Sequence, residues 1–178
     1  ADDERLRAQR EADDRRAVNT YAQQVDTHTR ERRAAIAEEN AERLRAEAGE
    51  FVAALGEAWA AVKVVEKEAH AKLEHHPDLA PRKPVDAAWT PEIETRLSVT
   101  VAKMQMFGGK VGETAGEGRE KVVGIKDNLV VEAERGAVND WGLTEEADFT
   151  LGRFAHAVQT ERARILEESF EAGSRPVD

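Results

Sequence analysis

The chain has 178 residues, a net charge of −10 and no cysteine, and charged residues make up 35% of it. Binding to nucleic acid depends on clustered Lys and Arg, so a chain this acidic is predicted not to bind nucleic acid. The lack of cysteine excludes disulfides and cysteine-ligated zinc. Only 5% of the residues are aromatic, and abundant Ala, Glu and Arg are typical of long helices, so we expect an all-α protein.

The N-terminal segment contains no glycine or proline in residues 1–48, and the first proline is Pro77. This predicts one helix over about residues 3–74. Such a helix would be on the order of 105 Å long, more than the width of a domain of this size. We therefore expect its first part to project as a coiled-coil stalk. Residues 19–29 have low helix propensity, and a bend there is the alternative.

One face of this helix is marked by a stripe of residues spaced three or four apart along the sequence. The residues of this stripe change in character at Leu44. Before Leu44 the stripe is polar or small as often as apolar, whereas later it includes Phe51 and other large apolar residues. The chain is therefore predicted to divide into a charged helical stalk, 1–43, a helical bundle, 44–173, and a tail, 174–178. The predicted oligomerisation seam of the stalk consists of Val18, Val25, Ile36, Asn40 and Leu44.

The proline-rich segment 75–90 ends the first helix and is predicted to be a connector. Thr90 followed by Pro91 predicts the start of a second helix, with the threonine as its N-cap. Alternation over residues 97–101 leaves a short strand as the minority interpretation.

Glycine-rich residues 108–113 favour a turn, although glycines at 108, 112 and 116 would also allow two helices to approach closely. Thr114 with Glu117 forms a capping-box pattern that predicts the start of a third helix, ending at Gly142. Thr144 then begins the last helix. Together these segments predict an antiparallel bundle of about four helices.

Few residues suggest chemistry. His70, His75, His76 and Asp78 are close in sequence, but their spacing is poor for a metal site and favours a polar helix end. No histidine follows an acidic residue by three positions, as a di-iron bundle requires, and the P-loop and dinucleotide motifs are absent. We therefore predict no catalytic residues, no metal and no cofactor. Trp89 in the connector is predicted to staple the chain locally, with a partner anchor as the alternative.

These features favour a non-enzymatic assembly or scaffold module that self-associates, as a dimer, through its long N-terminal helix, with docking of another protein as a variant. One alternative is the soluble head and stalk of a membrane-anchored protein whose anchor precedes residue 1. Another is a ligand-binding bundle or enzyme whose site forms only in three dimensions. A cytoplasmic location is expected, with membrane tethering the alternative, and no apolar run in the chain is long enough to span a bilayer.

Overall fold

The computed structural model describes the backbone of residues 2–74 and 84–171, and the side chains of these residues except 2–4, 8, 170 and 171. These residues form four helices: α1 (Asp2–Glu74), α2 (Pro91–Phe107), α3 (Gly109–Arg135) and α4 (Leu143–Glu171). No strand occurs among them, so residues 97–101 are helical. The predicted all-α bundle with a long N-terminal helix is confirmed. The predicted tail, 174–178, and connector residues 75–83 lie outside the described part.

Helix α1 runs without interruption through the segment where a bend was the alternative. Three threonines there donate hydroxyl hydrogen bonds to the carbonyl four residues earlier: Thr20 to Arg16 (2.9 Å), Thr27 to Gln23 (2.9 Å) and Thr29 to Val25 (2.7 Å). A hydroxyl bonded in this way stays compatible with helical geometry.

The chain divides into two compact units. The first contains Ala1–Ala41 and Arg164–Asp178, and the second contains Glu42–Ala163. Within the first unit, Ala37 and Ala41 are buried, whereas the larger apolar residues of this part of α1 are exposed. The second unit contains nearly all of the large buried side chains.

The helices of the second unit run antiparallel to their neighbours in the order up, down, up, down. Ion pairs record this arrangement, because residue numbers rise along one helix as they fall along the next. α1 and α2 are joined by Glu57–Arg96 and Glu50–Lys103, both at 2.7 Å. α3 and α4 are joined by Glu117–Arg153 at 2.9 Å and Lys121–Glu146 at 3.1 Å.

The centre of this bundle is aliphatic with one aromatic pair. The rings of Phe51 on α1 and Phe154 on α4 lie 4.5 Å apart between centroids, at an interplanar angle of 58°. The other large side chains that are fully buried belong to α1, α2 and α3, namely Leu44, Leu55, Val62, Val65, Leu97, Met104, Val111, Val122 and Leu129.

The start of α2 confirms the predicted cap. Thr90 has extended backbone angles, and its hydroxyl oxygen accepts a hydrogen bond from the Ile93 amide at 3.5 Å, while Pro91 is the first helical residue. Proline is favoured there because its missing N–H would have no partner in the first turn.

The predicted turn over 108–113 and the predicted cap at Thr114 are wrong. Gly108 alone links α2 to α3, with φ 70° and ψ −165°, and α3 begins at Gly109. Thr114 lies inside the helix and donates its hydroxyl to the Lys110 carbonyl at 2.7 Å. Gly109 also has a positive φ, 50°, so two consecutive glycines in a conformation that favours glycine reverse the chain. The glycines further inside α3 serve another purpose.

That purpose is close packing of α3. A Cβ atom added at Gly112 would lie 3.1 Å from the Cα of Gln105 on α2. At Gly118 it would lie 3.1 Å from Cγ2 of Thr150 on α4 and 3.4 Å from Cδ2 of Leu55 on α1. Of the glycines at 108, 112 and 116, only Gly112 approaches a neighbouring helix closely, and Gly118, which was not part of that alternative, does the same. At these two positions tertiary packing offsets the low helix propensity of glycine.

The predicted end of α3 at Gly142 is also wrong. The helix ends at Arg135, and Gly136 takes the left-handed conformation (φ 76°, ψ 25°) that commonly terminates helices. Gly142, with φ 54°, instead precedes α4, and its carbonyl accepts the Glu146 amide at 3.0 Å. The predicted start at Thr144 is thus one residue late.

Replacing Phe154 by Ala should destabilise the bundle by about 3–5 kcal/mol, because it leaves a cavity beside Phe51. The matched control is Phe149→Ala on the same helix, where the ring is 62% exposed. Its cost should stay within about 1 kcal/mol. Urea unfolding followed by far-ultraviolet circular dichroism measures both, and equal losses would contradict this description of the core.

Gly112→Ala should destabilise the protein by about 1–3 kcal/mol, because the new methyl group meets the backbone of Gln105, which has no rotamer to change. Gly124→Ala is the control on the same helix, where an added Cβ has nothing within 4 Å. It should stabilise the protein by roughly 0.5–1 kcal/mol through helix propensity. Opposite shifts in the urea midpoint are expected, and equal shifts would exclude the packing role of Gly112.

Candidate functional site

The most distinctive surface of the first unit is an apolar stripe on α1. Val18, Tyr21, Val25 and Ile36 are 66%, 70%, 48% and 49% exposed, respectively. At about 100° per residue, these four side chains fall within an arc of about 60° on the helix. We call these four residues the α1 stripe. Ala37 and Ala41 lie outside this arc, so the buried and exposed apolar faces of this unit are separate.

The predicted seam residues have different environments in the structure. Val18, Val25 and Ile36 belong to the α1 stripe, and Asn40 is exposed beyond its end. Leu44 is fully buried in the second unit, where it forms part of the core. Tyr21 was not included in the predicted seam, although its positions three after Val18 and four before Val25 are the signal that identifies it.

The charged residues beside the α1 stripe make few bonds within the helix. Arg16 lies 3.7 Å from Asp13, and Arg30 lies 2.6 Å from Asp26, with all four side chains more than half exposed. Exposed pairs of this kind contribute little stability. They keep the helix surface soluble and leave the stripe itself uncovered.

Trp89 is held within the chain. Its indole N–H donates to Glu94 Oε2 at 3.0 Å, and the Lys126 ammonium lies 5.4 Å from the centroid of its ring. Glu94 Oε1 also accepts a hydrogen bond from Arg119 at 2.7 Å. These contacts connect the segment before α2 to α3, which is the geometry of a local staple.

The described residues of the bundle line at least two open grooves on its surface. One, of about 430 Å³, lies between α3 and α4 and is lined by residues that include Lys121, Glu146 and the exposed Phe149. The other, of about 580 Å³, lies between α1 and α2. In the second groove, a hydrogen bond from Lys103 and then its charge lower the pKa of Glu50. The charged groups are therefore engaged with one another across both grooves.

The histidine cluster considered as a metal site falls largely outside the described residues, which include His70 but not His75, His76 or Asp78. Within the described part of the chain, no group of three His, Cys, Asp or Glu side chains is arranged to hold a metal ion. None of the described helices is long and apolar enough to cross a membrane.

Glu132 near the end of α3 organises the loop that follows. Its carboxylate accepts hydrogen bonds from the Asn139 amide (3.0 Å), the Asn139 side chain (2.6 Å) and the Trp141 indole (3.1 Å). The backbone hydrogen bond from Asn139, then those from Trp141 and the Asn139 side chain, lower the pKa of Glu132. We call this arrangement the Glu132 clasp. It explains why Trp141, which sequence patterns assigned to the helix, lies in a loop.

Comparison of the chain with protein-family models, with curated proteins and with solved structures finds no match. The candidate surfaces are therefore judged on their own chemistry. Among them, the α1 stripe is the one with several large apolar side chains exposed along a single line.

Replacing Glu132 by Gln should lower the urea midpoint at pH 7. The side-chain NH₂ of Gln is a hydrogen-bond donor, and it would face the N–H donors of Asn139 and Trp141. Since the folded-state pKa is lowered, the carboxylate contributes stability above its ordinary pKa, and this contribution is lost as pH falls through the lowered value. The difference between wild type and variant should therefore shrink between about pH 5 and pH 3. Tryptophan fluorescence during urea unfolding provides the measurement.

The control for the Glu132 clasp is Glu134→Gln. Glu134 lies on the same helix and makes no ion pair or side-chain hydrogen bond with another described residue. The urea midpoint of the Glu134→Gln variant should equal that of wild type at pH 7. Identical midpoints for the two variants would show that the clasp does not stabilise the fold.

Proposed function

We propose that this protein is a non-enzymatic assembly module that self-associates as a dimer through the α1 stripe. The observation that supports this most is the exposure of four large apolar side chains along one face of a helix. Isolated apolar residues are normal on protein surfaces, whereas an aligned row of them is typical of a helix that packs against a partner.

The charge of this segment opposes self-association only weakly. Residues 1–41 contain eight arginines and ten acidic residues, a net charge of −2, although the whole chain carries −10. Two copies of this segment would therefore repel each other weakly. Residues 17–25 contain no charged side chain at all, and they include three of the four residues of the α1 stripe.

The expected affinity is modest. The stripe residues are between about half and 70% exposed, so covering them contributes about 1 kcal/mol per side chain, or about 8 kcal/mol for the eight side chains of two copies. Association costs at least about 4 kcal/mol in translational and rotational freedom. The difference, about 4 kcal/mol, corresponds to a dissociation constant of about 1 mM from the stripe alone. About 2 kcal/mol more, from the aliphatic stems beside the stripe, lowers it to tens of micromolar, so we expect a weak, reversible dimer.

The bundle does not depend on this association for its core. The large buried side chains of the second unit are covered by that unit's own helices. A protein of this kind combines a self-sufficient fold with a separate contact surface. In this proposal, the dimer sets the spacing between bundles or the number of bundles in the assembly.

Val25→Asp should abolish the dimer, because it places a charge in the middle of an apolar contact. The matched control is Val64→Asp, which changes a valine on the same helix with similar exposure, 45% against 48%. Light scattering measures the mass of wild type and both variants at about 20–200 μM, because the expected dissociation constant falls in this range.

A wild-type dimer, a Val25→Asp monomer and a Val64→Asp dimer are the expected result. A wild-type protein that remains monomeric across this concentration range would overturn the proposed function. Circular dichroism of each variant checks that helix content is retained, so that loss of mass is not due to unfolding.

A further inference from the structure

Several charged residues lie in line with the α1 stripe, among them Glu11, Asp14, Arg32, Arg7 and Glu39. Glu11 and Asp14 precede it, and Arg32 lies between Val25 and Ile36; all three are exposed and make no ion pair with another described residue. At about 100° per residue, they and the stripe occupy one arc of about 80°. A helix that covers the stripe must therefore also meet these charges.

A parallel, in-register dimer would place each of these charges against its own copy. Glu11 would face Glu11, Asp14 would face Asp14, and Arg32 would face Arg32 of the second copy. Like charges at a helix interface disfavour the pairing, and such repulsion is a common means of excluding one orientation. The parallel arrangement is therefore opposed at three levels along the face.

An antiparallel arrangement removes all three conflicts. In one antiparallel register, the numbers of any two opposite residues, one from each copy, add up to 43. Val18 then lies opposite Val25, and Glu11 lies opposite Arg32. Arg32 also comes within one helical turn of Asp14, because three residues correspond to about 4.5 Å along the axis. The uncharged segment 17–25 then lies at the centre of the pair, on the twofold axis.

Most of the remaining positions of the face are compatible with this register. The exception is Glu39, which would lie opposite another glutamate, Glu4, near the end of the pair. Tyr21 faces Ala22, which leaves room for its ring, and Arg7 faces Ile36, which its aliphatic stem can cover while its charge stays in water. Registers shifted by one heptad are worse. If the numbers of opposite residues add up to 50, Val18 lies against Arg32, and if they add up to 36, Glu11 lies against Val25. Each of these registers places a charge against an apolar side chain.

We propose that the partner of the α1 stripe is a second copy of this chain in antiparallel orientation, with Val18 opposite Val25 and Glu11 opposite Arg32. This inference rests on the proposed function and specifies the orientation and register of that dimer. An antiparallel pair of this kind is closed, because both copies use the same surface, and further copies have no site to join.

The chain has no native cysteine, so single cysteines report the orientation directly. The variants Val18→Cys and Val25→Cys are purified separately, one with a mass tag, and oxidised alone or mixed. In the antiparallel register, two Val18 positions are about 10 Å apart along the axis, too far for a disulfide, whereas Val18 and Val25 are opposite each other. We expect a strong cross-linked band in the mixture and little in either variant alone.

Charge exchange provides a second measurement that needs no cross-link. Glu11→Arg and Arg32→Glu should each weaken the dimer about tenfold by sedimentation equilibrium. The double variant should return to within about threefold of wild type, because both ion pairs are restored with reversed sign. A parallel dimer gives no such rescue.

The outcomes separate the two proposals. Cross-linking of Val18→Cys with itself, in a protein of dimeric mass, would overturn the antiparallel register and leave the proposed self-association intact. A protein that is monomeric and gives no cross-link in any mixture would overturn both. A dimer that cross-links only in the mixture and shows charge rescue supports both.

Discussion

The bundle depends on how closely α3 approaches its neighbours. With few aromatic residues and many alanines, the core has little side-chain volume with which to fill a wide space between helices. Because Gly112 and Gly118 have no Cβ atom, the backbone of α3 can lie close to α2 and α4 at these positions, and small side chains remain in contact. Phe51 and Phe154 then fill the centre, where a core of alanine alone would leave a void.

The ion pairs between helices have a different role from the core. Pairs such as Glu57–Arg96 and Lys121–Glu146 are largely exposed, so their contribution to the free energy of folding is small. They place opposite charges together where neighbouring helices meet at the surface. Packing of the apolar core therefore supplies most of the stability of the bundle.

Sequence patterns predicted the parts of this fold that depend on local chemistry. The long helix follows from the absence of helix breakers, and the start of α2 follows from Thr90 and Pro91, whose effects act within one turn. The glycine-rich segment was misassigned because glycine carries the same local signal in a turn and in a crowded helix. Only the neighbouring helices distinguish the two, because Gly112 contacts Gln105 on α2 and Gly118 contacts Thr150 on α4, and the local pattern of glycines encodes neither contact.

The candidate site shows the same division. Spacing identified Val18, Val25 and Ile36 as one face, but it did not show that Leu44 belongs to the core, since both environments require an apolar residue at a step of four. The Glu132 clasp had no sequence signal, because its partners are loop groups seven and nine residues away.

The aromatic residues give this protein a natural pair of optical reporters. Tyr21, the only tyrosine, lies on the α1 stripe, whereas all three tryptophans belong to the second unit. Trp59 is buried with no hydrogen-bond partner for its indole among the described residues, while Trp89 and Trp141 each donate to a carboxylate. Tyrosine spectra therefore follow the surface of the first unit, and tryptophan emission follows the interior and loops of the second, without any label.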